Sequence, residues 1–288
     1  MFHATITAPA KAKQTTHVFK TRDGADLVGE LFLPAARRPF ALVIINGATG
    51  VPQRYYKHFA RWLAEERGLA CLTYDYRDIG RSTDGPLRRS TTTMAHWGIE
   101  DAEAARRFAR IVLPDIPIWL IGHSLGGMML PFQRDFGGVR RIINVGSGAV
   151  HHLDHPWPYR DQAMAFRIVL GPIGTAIRGF QPARAIGVGE NLPRRAFWQW
   201  RRWCTSKGFY QADIGKTLPE FEPNAITAPI RFLSVSDDDL CPRNSTAKLF
   251  TLYGQGEIVD IEAGHDQIGH TGLFARANAH RWPEIIQA

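Results

Sequence analysis

Residues 122–127 read Gly-His-Ser-Leu-Gly-Gly, directly after the apolar run Ile116-Pro-Ile-Trp-Leu-Ile121. An apolar run of that length bounded by turn residues is a buried strand. A Gly-x-Ser-x-Gly segment leaving such a strand makes a sharp turn that pushes the serine hydroxyl out at the carboxyl end of a sheet. Gly122 and Gly126 fit because side chains there would collide with neighbouring strands at so tight a turn. Met128-Met-Leu-Pro-Phe132 is then expected to begin a buried helix whose amino end points at Ser124.

The rest of the chain repeats the strand-then-helix rhythm. His17–Thr21 and Asp26–Pro34 read as an antiparallel pair, and the continuous apolar run Phe40–Ile45 as a strand buried on both faces. Arg54–Arg67 places Tyr55, Phe59, Trp62 and Leu63 on one helical face, and Gly68 ends that helix. Leu69–Tyr74 is a strand and Met94–Val112 a helix; Arg141–Val145, Pro229–Ser236 and Glu257–Ile261 are further strands. Ser245–Tyr253 and Leu273–Ala288 read as helices. Alternation of this kind implies an α/β fold with a mainly parallel eight-stranded sheet covered on both faces. Between His151 and about Ala225 the rhythm breaks into a stretch rich in Trp, Arg, Pro and Gly. The expected organisation is therefore a core of residues 1–150 and 226–288, with residues 151–225 inserted after the sixth strand as a helical lid.

Three residues of complementary chemistry follow three of these strands. A serine hydroxyl is a poor nucleophile near neutral pH and needs a histidine to accept its proton, with an acid to orient that histidine. Ser124 comes first. The acid lies in Ser236-Asp-Asp-Asp-Leu-Cys-Pro242, where Asp238 is chosen over Asp237 and Asp239, either of which can instead cap the following helix. The histidine lies in Glu262-Ala-Gly-His-Asp-Gln-Ile-Gly-His-Thr-Gly-Leu-Phe274, where spacing leaves His265 and His270 level. An oxyanion hole needs two N–H donors. Leu125, after the serine, supplies one, and the Asn46-Gly-Ala-Thr-Gly50 loop the other, through Ala48 or its neighbour Thr49. That loop lacks the endings of a phosphate-binding or dinucleotide-binding turn.

On these residues the chain resembles the α/β-hydrolase family, and within it the bacterial members related to serine aminopeptidases and monoacylglycerol lipases. The resemblance is carried by Gly47-Ala-Thr-Gly-Val-Pro-Gln-Arg-Tyr-Tyr56, Tyr74-Asp-Tyr-Arg-Asp-Ile-Gly-Arg-Ser82, Gly122–Gly127, Trp200-Arg-Arg-Trp-Cys204 and Ile268-Gly-His-Thr-Gly-Leu-Phe274. The last is similar to the family's closing segment that bears the catalytic histidine, which implies His270. Two departures stand out: Asn46 where the family often has His, and Asp78 where Gly is common. The resemblance implies a serine hydrolase of carboxylic esters or related acyl compounds working without metal or cofactor. An acyltransferase on the same triad and a non-catalytic ligand-binding homologue are the alternatives.

Composition narrows the partners. The net charge of +8 comes mostly from scattered Arg pairs, with no dense basic run, so nucleic acid is not expected and an anionic substrate stays open. No apolar run reaches the length of a membrane span, and the first ten residues carry no secretory pattern. With three widely spaced cysteines, the expectation is a cytoplasmic protein acting on a small acyl substrate. His151-His-Leu-Asp-His155 is weighed as a metal site and set aside for want of a second ligand cluster. Phe197-Trp-Gln-Trp200 and Trp203 either line an acyl pocket or pin the insertion to the core.

Overall fold

In a computed structural model, residues 11–187 and 189–287 are described; the expectation for the amino-terminal ten residues lies outside them. Among the described residues ten strands form: β1 (Lys13–Lys20), β2 (Asp26–Leu33), β3 (Leu42–Asn46), β4 (Ala70–Tyr74), β5 (Ile118–His123), β6 (Val139–Val145), β7 (Phe180–Gln181), β8 (Leu192–Pro193), β9 (Ile230–Val235) and β10 (Glu257–Ile261). Eight build one sheet in the order β1-β2-β4-β3-β5-β6-β9-β10. From β4 to β10 every pairing is parallel, while β2 runs antiparallel to both β1 and β4. The eight-stranded, mainly parallel sheet is the one expected.

Period-two alternation splits the central strands between two cores. Leu42, Ile44, Leu72, Leu120 and Ile142 face one side, packed by α2 (Ala102–Val112) and α7 (Arg243–Tyr253). Val43, Ile45, Cys71, Ile121 and Ile143 face the other, packed by α1 (Lys57–Glu66) and α8 (Trp282–Gln287). Helices therefore cover both faces, and the carboxyl ends of the parallel strands all open on one edge.

Two helices depart from expectation. The helix after Ser124 does not begin at Met128 but ends there, as α3 (Leu125–Met128), followed by a 3-10 turn over Leu130–Phe132. Pro131 is the cause: it has no N–H to donate to the Gly127 carbonyl four residues back, and its ring crowds that oxygen. The Gly127 carbonyl accepts the Tyr253 hydroxyl instead. The closing helix is likewise broken, into 3-10 turns over Gly272–Phe274 and Arg276–Arg281 kinked at Asn278, before α8.

Between β6 and β9 the chain leaves the sheet and forms α4 (Tyr159–Ala165), α5 (Gly171–Arg178), the short β7–β8 pair and α6 (Arg194–Thr205). Phe197 and Trp203 are buried; Trp203 packs edge-on against Tyr210 and donates to Asp213 at 2.7 Å. Among the described residues no helix is long and apolar enough to cross a membrane.

Candidate active site

Ser124 follows β5 directly, with φ 53 and ψ −113, a conformation few non-glycine residues adopt. Strain of this kind costs about 1–3 kcal/mol and persists only where packing enforces it. Here the Ser124 N–H donates to the Val145 carbonyl at 2.9 Å, and the Ser124 carbonyl accepts Ser147 Oγ at 2.9 Å. Close approach explains the glycines. A Cβ on Gly126 would lie 2.1 Å from the Asn46 carbonyl oxygen, and one on Gly122 2.6 Å from Gly127 Cα.

The acid cluster after β9 divides its work. Asp238 is 3% exposed; its Oδ2 accepts His270 Nδ1 at 2.8 Å, while its Oδ1 accepts the N–H groups of Leu240 and Cys241 at 3.0 and 2.8 Å. Burial pushes the Asp238 carboxyl up, but His270 and the backbone donors outweigh it and hold the group below the usual carboxylate range. Asp237 instead accepts the N–H groups of Ile268 and Gly269 at 2.9 and 2.8 Å, fixing the loop that carries His270. The third acid, Asp239, points to solvent, and its carbonyl accepts His155 Nδ1 at 2.9 Å.

With Nδ1–H held by Asp238, His270 presents Nε2 as an acceptor. Ser124 and His270 line one cavity of about 420 Å³ together with Thr49, Trp200 and Leu240. Phe166, Leu192 and Trp200, which lie between β6 and β9, line it as well. Among the described residues Ser124 Oγ has no hydrogen-bond partner. A serine–histidine bond absent without substrate is common at such sites and tightens on binding.

A second set of buried bonds ties the serine turn to both neighbouring loops. His123 Nε2 lies 2.9 Å from the His270 carbonyl oxygen, which only accepts, so Nε2 carries the proton. Burial first, then the His270 imidazole, depress His123 to about 3, so it is neutral and Nδ1 accepts. The Tyr56 hydroxyl therefore donates to Nδ1 at 2.8 Å and accepts the Ala48 N–H at 3.0 Å.

The family model for alpha/beta hydrolases matches residues 42–277, which include the whole of this edge. The chain belongs to the alpha/beta hydrolase family. Solved structures agree in fold. A hypothetical protein from Pseudomonas aeruginosa shares 17% identity, covering 98% of this chain and 94% of its own, at a TM-score of 0.66. The Pyrococcus furiosus esterase shares 12% over 100% and 97%, at 0.63. An esterase domain of a Rhodothermus marinus protein shares 17% over 96% of each, at 0.54. At these identities the likeness shows the fold alone. No curated protein matches the chain in sequence.

Within this alpha/beta hydrolase, Ser124, Asp238 and His270 come to one edge of the sheet, while His265 is exposed. Leu125 opens α3, so its N–H has no partner inside the helix. The Ala48 N–H, expected in the oxyanion hole, donates to the Tyr56 hydroxyl at 3.0 Å, and Ala48 and the adjacent Thr49 both line the cavity. Asp78 adopts φ 63 and accepts Ser90 Oγ and Thr92 Oγ1 at 2.7 and 2.5 Å, so this departure from glycine is tolerated. Asn46, the other departure, accepts the Tyr74 hydroxyl at 2.8 Å. The histidine run is engaged elsewhere: His155 bonds Asp239 and Arg167, and Asp154 pairs with Lys248 at 2.5 Å. Among the described residues no three His, Cys, Asp or Glu side chains are grouped to hold a metal. Cys71, Cys204 and Cys241 are buried and unpaired with one another. Sequence reasoning missed Tyr56, the role of His123 and Arg167. His123 sits inside the serine motif, and that position was the signal.

Proposed function

We propose that the chain is a serine hydrolase acting on a carboxylic ester or related acyl compound. Ser124 Oγ attacks the acyl carbon while His270 Nε2 takes its proton. Asp238 holds the His270 tautomer and stabilises the imidazolium that forms. The N–H groups of Leu125 and Thr49 receive the developing oxyanion, each contributing about 3 kcal/mol to barrier lowering. His270 then returns the proton to the leaving group, and water activated by the same imidazole cleaves the acyl-enzyme. None of these steps calls on a metal or organic cofactor.

The observation that carries this reading is the buried Asp238–His270 pair at 2.8 Å opening on the same cavity as a serine held at positive φ. Residues 151–225 act in it as the lid, excluding water and selecting the acyl group. The substrate is a small molecule rather than nucleic acid, and the protein works in the cytoplasm, where three unpaired cysteines stay reduced.

A fluorophosphonate probe tests the reading. Wild-type protein is expected to be labelled, Ser124→Ala not at all, and His270→Ala far more slowly, with His265→Ala like wild type. Loss of labelling in His265→Ala alone overturns the histidine assignment; an unlabelled folded wild type overturns the class.

A further inference from the structure

Three arginines are buried among the described residues, and they differ in what neutralises them. Arg77 is bracketed by Asp23 and Asp101. Arg106 donates to Gln133 and the Arg134 carbonyl, with the Glu103 charge beside it. Arg167, 2% exposed, forms no ion pair with a carboxylate among the described residues. Among the described residues its guanidinium is hydrogen-bonded to one group, His155 Nε2, which accepts from Nη1 at 2.6 Å. That imidazole is neutral: its Nδ1 faces the Asp239 carbonyl and so carries the proton, leaving Nε2 as a lone pair. Among the described residues Arg167 Nε is buried with no partner, and no hydrogen bond is made by Nη2. A buried guanidinium that is always charged, yet has no counter-ion, costs several kcal/mol.

The location of this charge is specific. Arg167 lines a small compartment of about 20 Å³ that shares Ser124, Trp200 and Leu240 with the larger cavity, so the two adjoin at the nucleophile. The remaining wall is largely apolar, including Met128, Val150 and Phe209. Trp200 packs on the guanidinium face at 5.1 Å, holding the fork in place. A single fixed charge in an apolar pocket is how a site selects one polar group on a ligand. The volume admits about one or two water-sized groups, which suits a carboxylate.

Resting on the serine-hydrolase reading, we propose that Arg167 is a specificity residue for an acyl group that ends in a carboxylate. The substrate class is then a monoester of a short dicarboxylic acid, its free carboxylate paired with Arg167 and its ester carbonyl at Ser124. Hydrolysis breaks the acyl–oxygen bond, adds one water and releases the diacid and an alcohol.

The test compares monoethyl glutarate with ethyl pentanoate, and monoethyl succinate with ethyl butanoate, in wild type, Arg167→Met and Arg167→Lys. Wild type is expected to favour each carboxylate-bearing ester at least tenfold in kcat/KM. Arg167→Met is expected to lose about 10–100-fold on those esters, the range for a charged hydrogen bond, while its rate on the neutral esters stays within about threefold. Arg167→Lys, which keeps the charge, retains part of the preference and guards against a folding defect in the Met variant. Equal losses on both ester types, or no carboxylate preference in wild type, overturn the proposal. Thermal stabilisation by succinate but not butanoate, abolished in Arg167→Met, separates the two readings. Protein that is labelled at Ser124 but ignores succinate keeps the hydrolase and loses the specificity residue. Unlabelled protein that succinate stabilises through Arg167 does the reverse.

Discussion

The Tyr56 hydroxyl is bonded to His123 Nδ1 at 2.8 Å, and through its other side to the Ala48 N–H at 3.0 Å. Because His123 Nε2–H reaches the His270 carbonyl, one buried chain of bonds links the loop after β3, the serine turn and the histidine loop. Tyr56→Phe removes the middle oxygen and leaves a buried donor and a buried acceptor unsatisfied, at a cost of about 2–4 kcal/mol of stability. The same loss frees both loops, so kcat is expected to fall about tenfold, equivalent to about 1.4 kcal/mol in the barrier, with little change in KM. Urea unfolding and steady-state kinetics on one ester check both. A normal kcat in a destabilised variant would restrict Tyr56 to a structural role.

The neighbouring acids Asp237 and Asp238 give a sharper contrast. Asp238→Asn keeps the size of the side chain but offers His270 an amide, which stabilises the wrong tautomer; kcat is expected to fall about 10³–10⁴-fold. Asp237 holds only backbone N–H groups of the histidine loop. Asp237→Asn leaves an oxygen to accept one of them, so its kcat is expected to fall about tenfold or less. Reversal of this order in the pH-independent kcat would move the triad acid from Asp238 to Asp237.

How far the sequence reaches can be judged from these residues. The apolar runs at Leu42–Asn46 and Ile118–His123 were legible because strands buried on both faces carry little besides Val, Ile and Leu. Ser124 and Asp238 stand just past apolar strands, whereas spacing leaves His265 and His270 level and only the resemblance of Ile268–Phe274 points to His270. The short α3 was not legible, although Pro131 is plain in the chain; the Tyr253 hydroxyl that takes over the Gly127 carbonyl lies 126 residues away. The bond at the Ala48 N–H is hidden for a similar reason, since the Tyr56 hydroxyl that accepts it belongs to a side chain to which the sequence assigns no polar role. Arg167 was lost among many arginines. Arg178, Arg184, Arg194 and Arg195, in the same stretch of chain, are all exposed. Burial without a counter-ion is a property of the folded chain and leaves no mark on a one-dimensional pattern.

Gly126 shows what the serine turn demands of its backbone. Its missing side chain lets the chain pass against the Asn46 carbonyl, where a Cβ would sit at 2.1 Å. That contact is with backbone, so nothing can swing aside. Gly126→Ala is expected to cost about 3 kcal/mol, the upper range for overpacking, and to displace Ser124 from the cavity. Loss of fluorophosphonate labelling in protein that still unfolds cooperatively checks this; unchanged labelling and stability would refute the close packing.

The last prediction concerns acid. His155 is held near neutral form by burial and by Arg167 at Nε2, which together depress it to about 4, against an ordinary value of about 6.5. Its other neighbours are the Asp239 carbonyl, the Tyr159 ring edge-on and, more distantly, the Asp154 and Asp238 charges. The unfolded chain therefore binds the proton first. The stability that neutral His155 contributes is complete above about pH 6.5 and drains away as pH falls toward about 4. Allowing for partial contact with water, that is about 1 kcal/mol between pH 6.5 and 5. His123 shifts in the same direction and is common to both proteins compared. His155→Gln supplies an oxygen for Arg167 and an N–H for the Asp239 carbonyl with no proton to gain. At pH 7 its urea midpoint is expected to lie close to wild type, and at pH 5 above it. Parallel midpoint-versus-pH curves for the two proteins would show that His155 is charged in the folded state, and that the buried guanidinium faces a cation rather than a lone pair.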